Sequence, residues 1–132
     1  MATELTITIR WRDMDAYGHV NNGVYLNYLE ECRDRMVAAL MGAQASWDFV
    51  LAHVGIDYRN ELTQDDGEVT VRCAVAGIGR SSIRTREAIL KADGTVAAEA
   101  EAVVVPRDRE RGGSRRLTDA ERATLETAIE TG

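Results

Sequence analysis

Before its final segment, this 132-residue chain carries a single long stretch of helical apolar spacing, and segments that alternate with period two surround it. From Val24 to about Gly42, Tyr25, Tyr28, Leu29, Cys32, Met36, Ala39 and Leu40 recur every three or four residues, with Glu30, Glu31, Arg33, Asp34 and Arg35 on other faces. Gly42 suits the position just past a helix end. Leu5, Ile7, Ile9 and Trp11 alternate with Thr6, Thr8 and Arg10, which predicts a first strand with one buried face. Trp47 to Tyr58 reads as a strand bent near Gly55, and Asp66-Gly67 as a turn. Val69, Val71, Cys73 and Val75 alternate cleanly, and Gly77-Ile78-Gly79 marks a turn or bulge. Arg80 to Leu90 is a further strand, Asp93-Gly94 a hairpin turn, and Thr95 to Val105 a long strand stopped by Pro106. Thr118-Asp119-Ala120-Glu121 forms a capping box for a short C-terminal helix. One strand, one helix and a four-strand antiparallel run define an α+β fold. The single long helix covers one face of the sheet. The uncovered face and the edges predict self-association.

The length fits one domain with a modest core, and a deep ligand cleft is easier to build between two copies. A formal charge of -6 argues against general nucleic-acid binding, though not against a local basic patch for phosphates. Cys32 and Cys73 form neither a CxxC pair nor a Cys/His cluster, so they read as buried thiols in a reducing compartment. No apolar run is long enough to span a bilayer, and Met1-Ala2-Thr3-Glu4 lacks the pattern of a secretory signal. The expectation is a cytoplasmic protein with neither a membrane nor a nucleic-acid partner.

Between the first strand and the helix, Asp13 to Tyr25 gathers two carboxylates, a histidine, two adjacent amides and two glycines. Such a segment sets acid, base and hydrogen-bonding groups beside a helix N-terminus, where free N–H groups and the positive end of the dipole stabilise developing negative charge. Acyl transfer needs that combination: a carboxylate to attack or to activate water, and donors for an oxyanion. Asp15 and Asp13 compete for the role of acid, and either could instead cap a turn. Gly18 allows a positive φ or a close backbone approach. Asn22 caps the helix or holds a water, capping being the stronger reading. Arg107 to Arg116 is a charged, glycine-containing segment read as a mobile, solvated tail.

The run Trp11-Arg12-Asp13-Met14-Asp15-Ala16-Tyr17-Gly18-His19-Val20-Asn21-Asn22, with Val24-Tyr25-Leu26-Asn27-Tyr28-Leu29-Glu30 after it, closely resembles the hotdog-fold acyl-CoA thioesterases of the 4-hydroxybenzoyl-CoA thioesterase type. The resemblance extends through His53 to Tyr58, through Gly77 to Ser82 and through Ala98 to Val105. It implies a curved antiparallel sheet of about five strands wrapped around one long central helix, plus the short C-terminal helix. On this reading residues 1–106 form the hotdog thioesterase domain, and 107–132 are a charged tail with a short helix in the same single domain.

The resemblance also assigns roles. Asp15 matches the catalytic carboxylate, as nucleophile or as general base. Tyr25 matches the position whose backbone N–H polarises the thioester carbonyl, with Gly18 and His19 completing the catalytic group. Asn22, Arg80, Ser81 and Ser82 fall on substrate-binding positions, the last three near the phosphates and pantetheine arm of coenzyme A. Glu30 and Glu31 are the alternative acids, since some hotdog thioesterases carry theirs on the central helix. No metal or other cofactor is implied, coenzyme A being part of the substrate. The implied activity is hydrolysis of acyl-CoA to free acid and coenzyme A by a homodimer or homotetramer with active sites at the interface. Two alternatives remain: an acyl-carrier-protein thioesterase, for which Arg107 to Arg116 would be the docking surface, and a non-catalytic acyl-CoA-binding hotdog protein.

Overall fold

A computed structural model describes residues 2–130. Met1, at the head of the expected 1–106 unit, and Thr131 and Gly132, at the end of the expected tail, lie outside the described residues. In chain order the elements are β1 (Ala2–Thr8), α1 (Asn22–Met41), β2 (Phe49–Tyr58), β3 (Glu68–Ile78), β4 (Ile83–Lys91), β5 (Val96–Pro106) and α2 (Asp119–Ala128).

The five strands form one antiparallel sheet in the order β1-β3-β4-β5-β2, so β1 and β2 are its edges. The strand made directly after α1 therefore pairs with the last strand, β5, and not with its sequence neighbours. Register shifts between Leu51 and His53, Val75 and Gly77, and Ile89 and Leu90 mark irregularities that bend and twist the sheet.

Helix α1 packs on β1, β3 and β4. Tyr25, Tyr28, Leu29, Cys32, Met36 and Val37 are buried on its inner side, as the spacing requires, and Val69, Val71, Cys73, Val75, Ile83 and Ile89 meet them from the sheet. Asn21 caps the helix, its side chain accepting from the Gly23 N–H at 2.8 Å, and Gly42 closes the other end with φ 97°. The helix thus begins two residues earlier than the apolar pattern alone indicates. Helix α2 packs on β3 and α1, and its capping box at Thr118 and Glu121 is formed.

Three expectations are corrected. Trp11 does not extend β1: it opens a 3-10 turn at Trp11–Asp13 and stands 80% exposed, because the chain must leave the sheet here to reach α1. The residues Ala45–Asp48 likewise form a 3-10 turn, and β2 begins only at Phe49. Arg107 to Arg116 is an ordered hairpin and not a loose tail. Asp108 Oδ1 accepts the N–H groups of Glu110 and Arg111, Arg107 pairs with Ser114, the Arg107 N–H reaches Asp48 C=O at 2.6 Å, and Arg109 is paired with Asp48.

Two buried groups break the apolar rule. Arg33 and Glu87 are 5% and 2% exposed and face each other between α1 and β4, with Arg33 Nε and Nη2 each 2.8 Å from a Glu87 oxygen. Thr85 Oγ1 donates to Glu87 Oε2 at 2.7 Å, and Cys73 Sγ lies 3.5 Å from the same oxygen. Burial drives both thiols up, that of Cys32 to about 11, so neither is a nucleophile near neutral pH.

Candidate active site

A small hairpin carries the chain from β1 to α1. The Asp13 carboxyl, almost fully buried, ends its first turn by accepting from the Arg10 N–H at 3.0 Å and from the Tyr28 hydroxyl at 2.7 Å. Burial pushes its pKa up, but the hydrogen bonds from the Arg10 backbone, Tyr28 and the Arg10 guanidinium outweigh burial and hold it below the usual aspartate value. Asp13 is therefore a structural anion. Met14 then bridges Val20, the Asp15 N–H donates to His19 C=O at 2.8 Å, and the Val20 N–H donates to Leu62 C=O at 2.7 Å.

Asp15 and Gly18 sit at the tip of this hairpin. Gly18 has φ 85° with no heavy atom near the place of a Cβ, so its use is the left-handed turn and not a close approach. Asp15 is half-buried, and its Oδ1 accepts from the Tyr17 N–H at 2.9 Å and more weakly from the His19 N–H at 3.4 Å. Its Oδ2 has no hydrogen-bond partner among the described residues. One carboxylate oxygen is anchored and the other is available.

The hairpin delivers Asn21 to the helix start through its N–H bond to Asp13 C=O, 2.9 Å. Beyond Asn21, the Gly23 N–H is taken by the Asn21 side chain and the Val24 N–H by Asn21 C=O. The Asn22 N–H has no partner among the described residues. Asn22 belongs to the wall of a cavity of about 150 Å3 at the helix N-terminus, with His19, Tyr25, Tyr58, Asn60 and Glu61.

Tyr25 is placed differently from expectation. It is the fourth helical residue, where amides enter the hydrogen-bonded ladder, so its N–H is not among the free ones. Its side chain is buried and structural: the hydroxyl accepts from the Leu62 N–H at 3.0 Å and donates to Asn60 C=O at 3.3 Å, and burial raises its pKa. Its ring meets Tyr58 edge-on at 5.0 Å, and the Tyr58 hydroxyl donates to Asn22 C=O at 2.9 Å. Asn22 itself does not cap; Asn21 does. His19 Nε2 lies 2.9 Å from Glu61 Oε2.

The structure thus brings His19, Asn22 and Tyr25 together and adds Tyr58, Asn60 and Glu61, which single-sequence reasoning missed because nothing in their spacing ties them to the loop. Asp15 and Gly18 lie on the adjoining hairpin without lining the cavity. Glu30 and Glu31 are exposed farther along α1. Arg80, Ser81 and Ser82 form the turn between β3 and β4, fastened by Leu117 N–H to Arg80 C=O and by Arg122 Nη2 to Gly79 C=O. Within one protomer that turn is far from Asn22. The row Ile83–Val104–Leu51 lies beside it, whereas Asn22 is tied to Tyr58, about 20 Å away along β2. Among the described residues no three His, Cys, Asp or Glu side chains converge as a metal site, and no helix is long and apolar enough to cross a membrane.

Comparison with known proteins agrees with this geometry. Residues 9–128 match the family described as the thioesterase-like superfamily, and the chain belongs to that superfamily. A thioesterase from Thermus thermophilus, solved with coenzyme A and zinc, is 30% identical, with a TM-score of 0.84 over 95% of this chain and 92% of that one. A protein described as the YbaW probable thioesterase of Escherichia coli is 26% identical, with a TM-score of 0.82 over 97% and 99% of the two chains. A protein described as a predicted thioesterase from Bacillus stearothermophilus shares the fold, with a TM-score of 0.91 at 24% identity over 100% and 99% of the chains. A comparison with curated proteins finds no match.

Proposed function

We propose that this chain hydrolyses acyl-CoA thioesters to free acid and coenzyme A. The observation that carries the reading is the uncommitted N–H of Asn22, a residue that lines a cavity at the start of α1, beside the hairpin that holds Asp15 with one oxygen free. An amide fixed at a helix N-terminus needs no reorganisation when an oxyanion forms. Asn22 therefore takes the donor role that the resemblance gave to Tyr25. Asp15 Oδ2 attacks the thioester carbonyl, forming a mixed anhydride and expelling the thiolate, or takes a proton from the attacking water. The Tyr17 and His19 amides hold Oδ1 and so aim the other oxygen. His19, paired with Glu61, flanks the cavity and orients the thioester.

The remaining substrate-binding residues imply a second copy. Edge strand β2 exposes Val50, Leu51 and Tyr58, each more than 40% accessible, together with its unpaired backbone. Two copies of β2 related by a two-fold axis perpendicular to the sheet run antiparallel, so the Leu51 end of one lies beside the Tyr58 end of the other. That exchange moves the partner's Arg80, Ser81 and Ser82 toward this protomer's Asn22, where a guanidinium and two hydroxyls suit the phosphates of coenzyme A. Coenzyme A in the related Thermus protein supports this class of ligand.

Acyl-carrier-protein thioesters are the second reading, favoured by Arg107, Arg111 and Arg116, which stand exposed on the ordered hairpin. The test is release of free thiol from a panel of acyl-CoA and acyl-carrier-protein thioesters by the full chain. Turnover of acyl-CoA at least as fast as of the carrier-protein form supports the first reading. Binding of acyl-CoA without release of thiol contradicts both.

A further inference from the structure

His19 Nε2 lies 2.9 Å from Glu61 Oε2, and with the two side chains 43% and 67% exposed this contact adds little to stability. The backbone nevertheless brings the two residues together. The Val20 N–H is bound to Leu62 C=O at 2.7 Å, which runs the chain at Glu61 beside His19. The Asp15 N–H is bound to His19 C=O at 2.8 Å, and the His19 N–H reaches Asp15 Oδ1 at 3.4 Å. His19 thus links the candidate acid to Glu61, in the wall of the same cavity that Asn22 lines.

The pair decides which ring nitrogen is free to act. An ionised carboxylate only accepts, so Nε2 carries the proton that faces Glu61. In the neutral ring Nδ1 then holds the lone pair, and it has no hydrogen-bond partner among the described residues. Nδ1 is also the nitrogen nearer the His19 backbone, whose N–H and C=O both meet Asp15. The other polar groups of the wall are committed or unsuited. The Tyr25 hydroxyl accepts from the Leu62 N–H and donates to Asn60 C=O, the Tyr58 hydroxyl donates to Asn22 C=O, and Asn60 Nδ2 donates to Val96 C=O. Arg59 has no lone pair to offer. Glu61 gives Oε2 to His19, and a carboxylate is a weaker base than an imidazole.

Resting on the thioesterase reading, we propose that Asp15 is the nucleophile and that His19 Nδ1 activates the water that hydrolyses the resulting anhydride, with Glu61 as its positioning residue. Once Asp15 has given Oδ2 to the acyl carbon it cannot also take a proton from water, so the second step needs another base. In the first step Oδ2 bonds to the acyl carbon and the C–S bond breaks, releasing coenzyme A as its thiolate. In the second, water adds to the same carbon and its proton passes to Nδ1. The bond to Oδ2 then breaks, and Asp15 returns as a carboxylate. The proton leaves Nδ1 for the thiolate, so acyl-CoA and water give acid and thiol. Glu61 stabilises the positive ring while it holds that proton.

The test follows thiol release through the first turnover by rapid mixing with a disulfide reagent. The substrate is the fastest of acetyl-, hexanoyl-, palmitoyl- and benzoyl-CoA. Cys32 and Cys73 are sealed and give no fast background. His19→Asn is expected to release about one thiol per site near the wild-type speed, then to turn over about 100-fold more slowly. Hydroxylamine, a nucleophile that needs no base, should speed that slow phase and yield the acyl hydroxamate. Glu61→Leu should show the same burst with a slow phase down about tenfold. Glu61→Gln, which keeps an oxygen to accept from Nε2, should fall less. A merely structural role would lower both phases together. Parallel loss of both phases, His19→Asn or Glu61→Leu at the wild-type rate, or no response to hydroxylamine overturns the assignment and leaves the thioesterase reading standing with Asp15 as the base. A wild type that releases no thiol from any of the four overturns both. Glu61→Leu alters an exposed side chain, so the burst is readable even if His19→Asn does not fold.

Discussion

The Tyr28 hydroxyl, on the inner face of α1, donates to the buried Asp13 carboxylate at 2.7 Å, two residues before Asp15. A helix residue thereby fixes the root of the hairpin that carries the candidate acid. Because the native environment depresses the Asp13 pKa, the group is ionised in both folded and unfolded chains above its unfolded value near 3.9. There its stabilising contribution is complete. As pH falls through the unfolded and then the folded pKa, Asp13 takes up a proton and the contribution is lost. Asp13→Asn should lower stability at pH 7 by roughly 1–3 kcal/mol and flatten the fall in Tm below about pH 4. Thermal melts across pH 2.5 to 7 check this; parallel acid limbs for the two proteins contradict it.

The Arg33–Glu87 pair makes a separate prediction about stability. Arg33→Met strands a carboxylate that is fully sealed from solvent and should cost about 3–5 kcal/mol in urea unfolding. Arg33→Met/Glu87→Met should recover most of that loss, because two apolar side chains of similar volume replace the pair. A double variant as unstable as the single one would show that the network with Thr85 and Cys73, and not the lone charge, governs the effect.

Leu51→Arg places a charge on the exposed edge of β2 without touching the buried core. If β2 pairs with its own copy, light scattering should show a shift from dimer or larger to monomer, and hydrolysis should fall with it because the partner's Arg80 turn is removed. Circular dichroism of the variant should be unchanged. An assembled, active Leu51→Arg protein would exclude β2 as the seam.

Much of this fold was legible in the chain because local signals and tertiary packing agree. The alternation of Val69 to Val75, the turn at Asp93-Gly94 and the capping box at Thr118 each produced the element that their chemistry demands. Trp11 continued the alternation of β1 and was still turned outward, since the bonds from Arg10 and Tyr28 to Asp13 reward leaving the sheet. The hairpin at 107–116 looked like a charged tail because its fastening to Asp48 crosses about sixty residues of sequence.

The candidate site divides in the same way. Asp15, Gly18 and His19 were visible as one polar cluster because the hairpin is local. Tyr58, Asn60 and Glu61 were not, because β2 reaches α1 only through the order of the sheet. Which amide at the helix start is left free was not legible, because it depends on the helix beginning at Asn22 and not at Val24, and composition does not fix that start. Glu87 was in principle readable: it occupies the same alternating face as Ile83, Thr85 and Ile89, which turns a glutamate inward and calls for a buried cation.

The central claim is that the Asp15 carboxylate performs the chemistry at the start of α1. Asp15→Asn keeps an oxygen to accept the Tyr17 and His19 amides, so Tm should move little. The decisive measurement is steady-state thiol release from a good acyl-CoA substrate by the wild type and Asp15→Asn at matched folded concentration. The account predicts a fall in kcat of about 100-fold or more with KM little changed. A variant that hydrolyses within a few-fold of the wild type contradicts it and moves the search for the acid to Glu30 or Glu31.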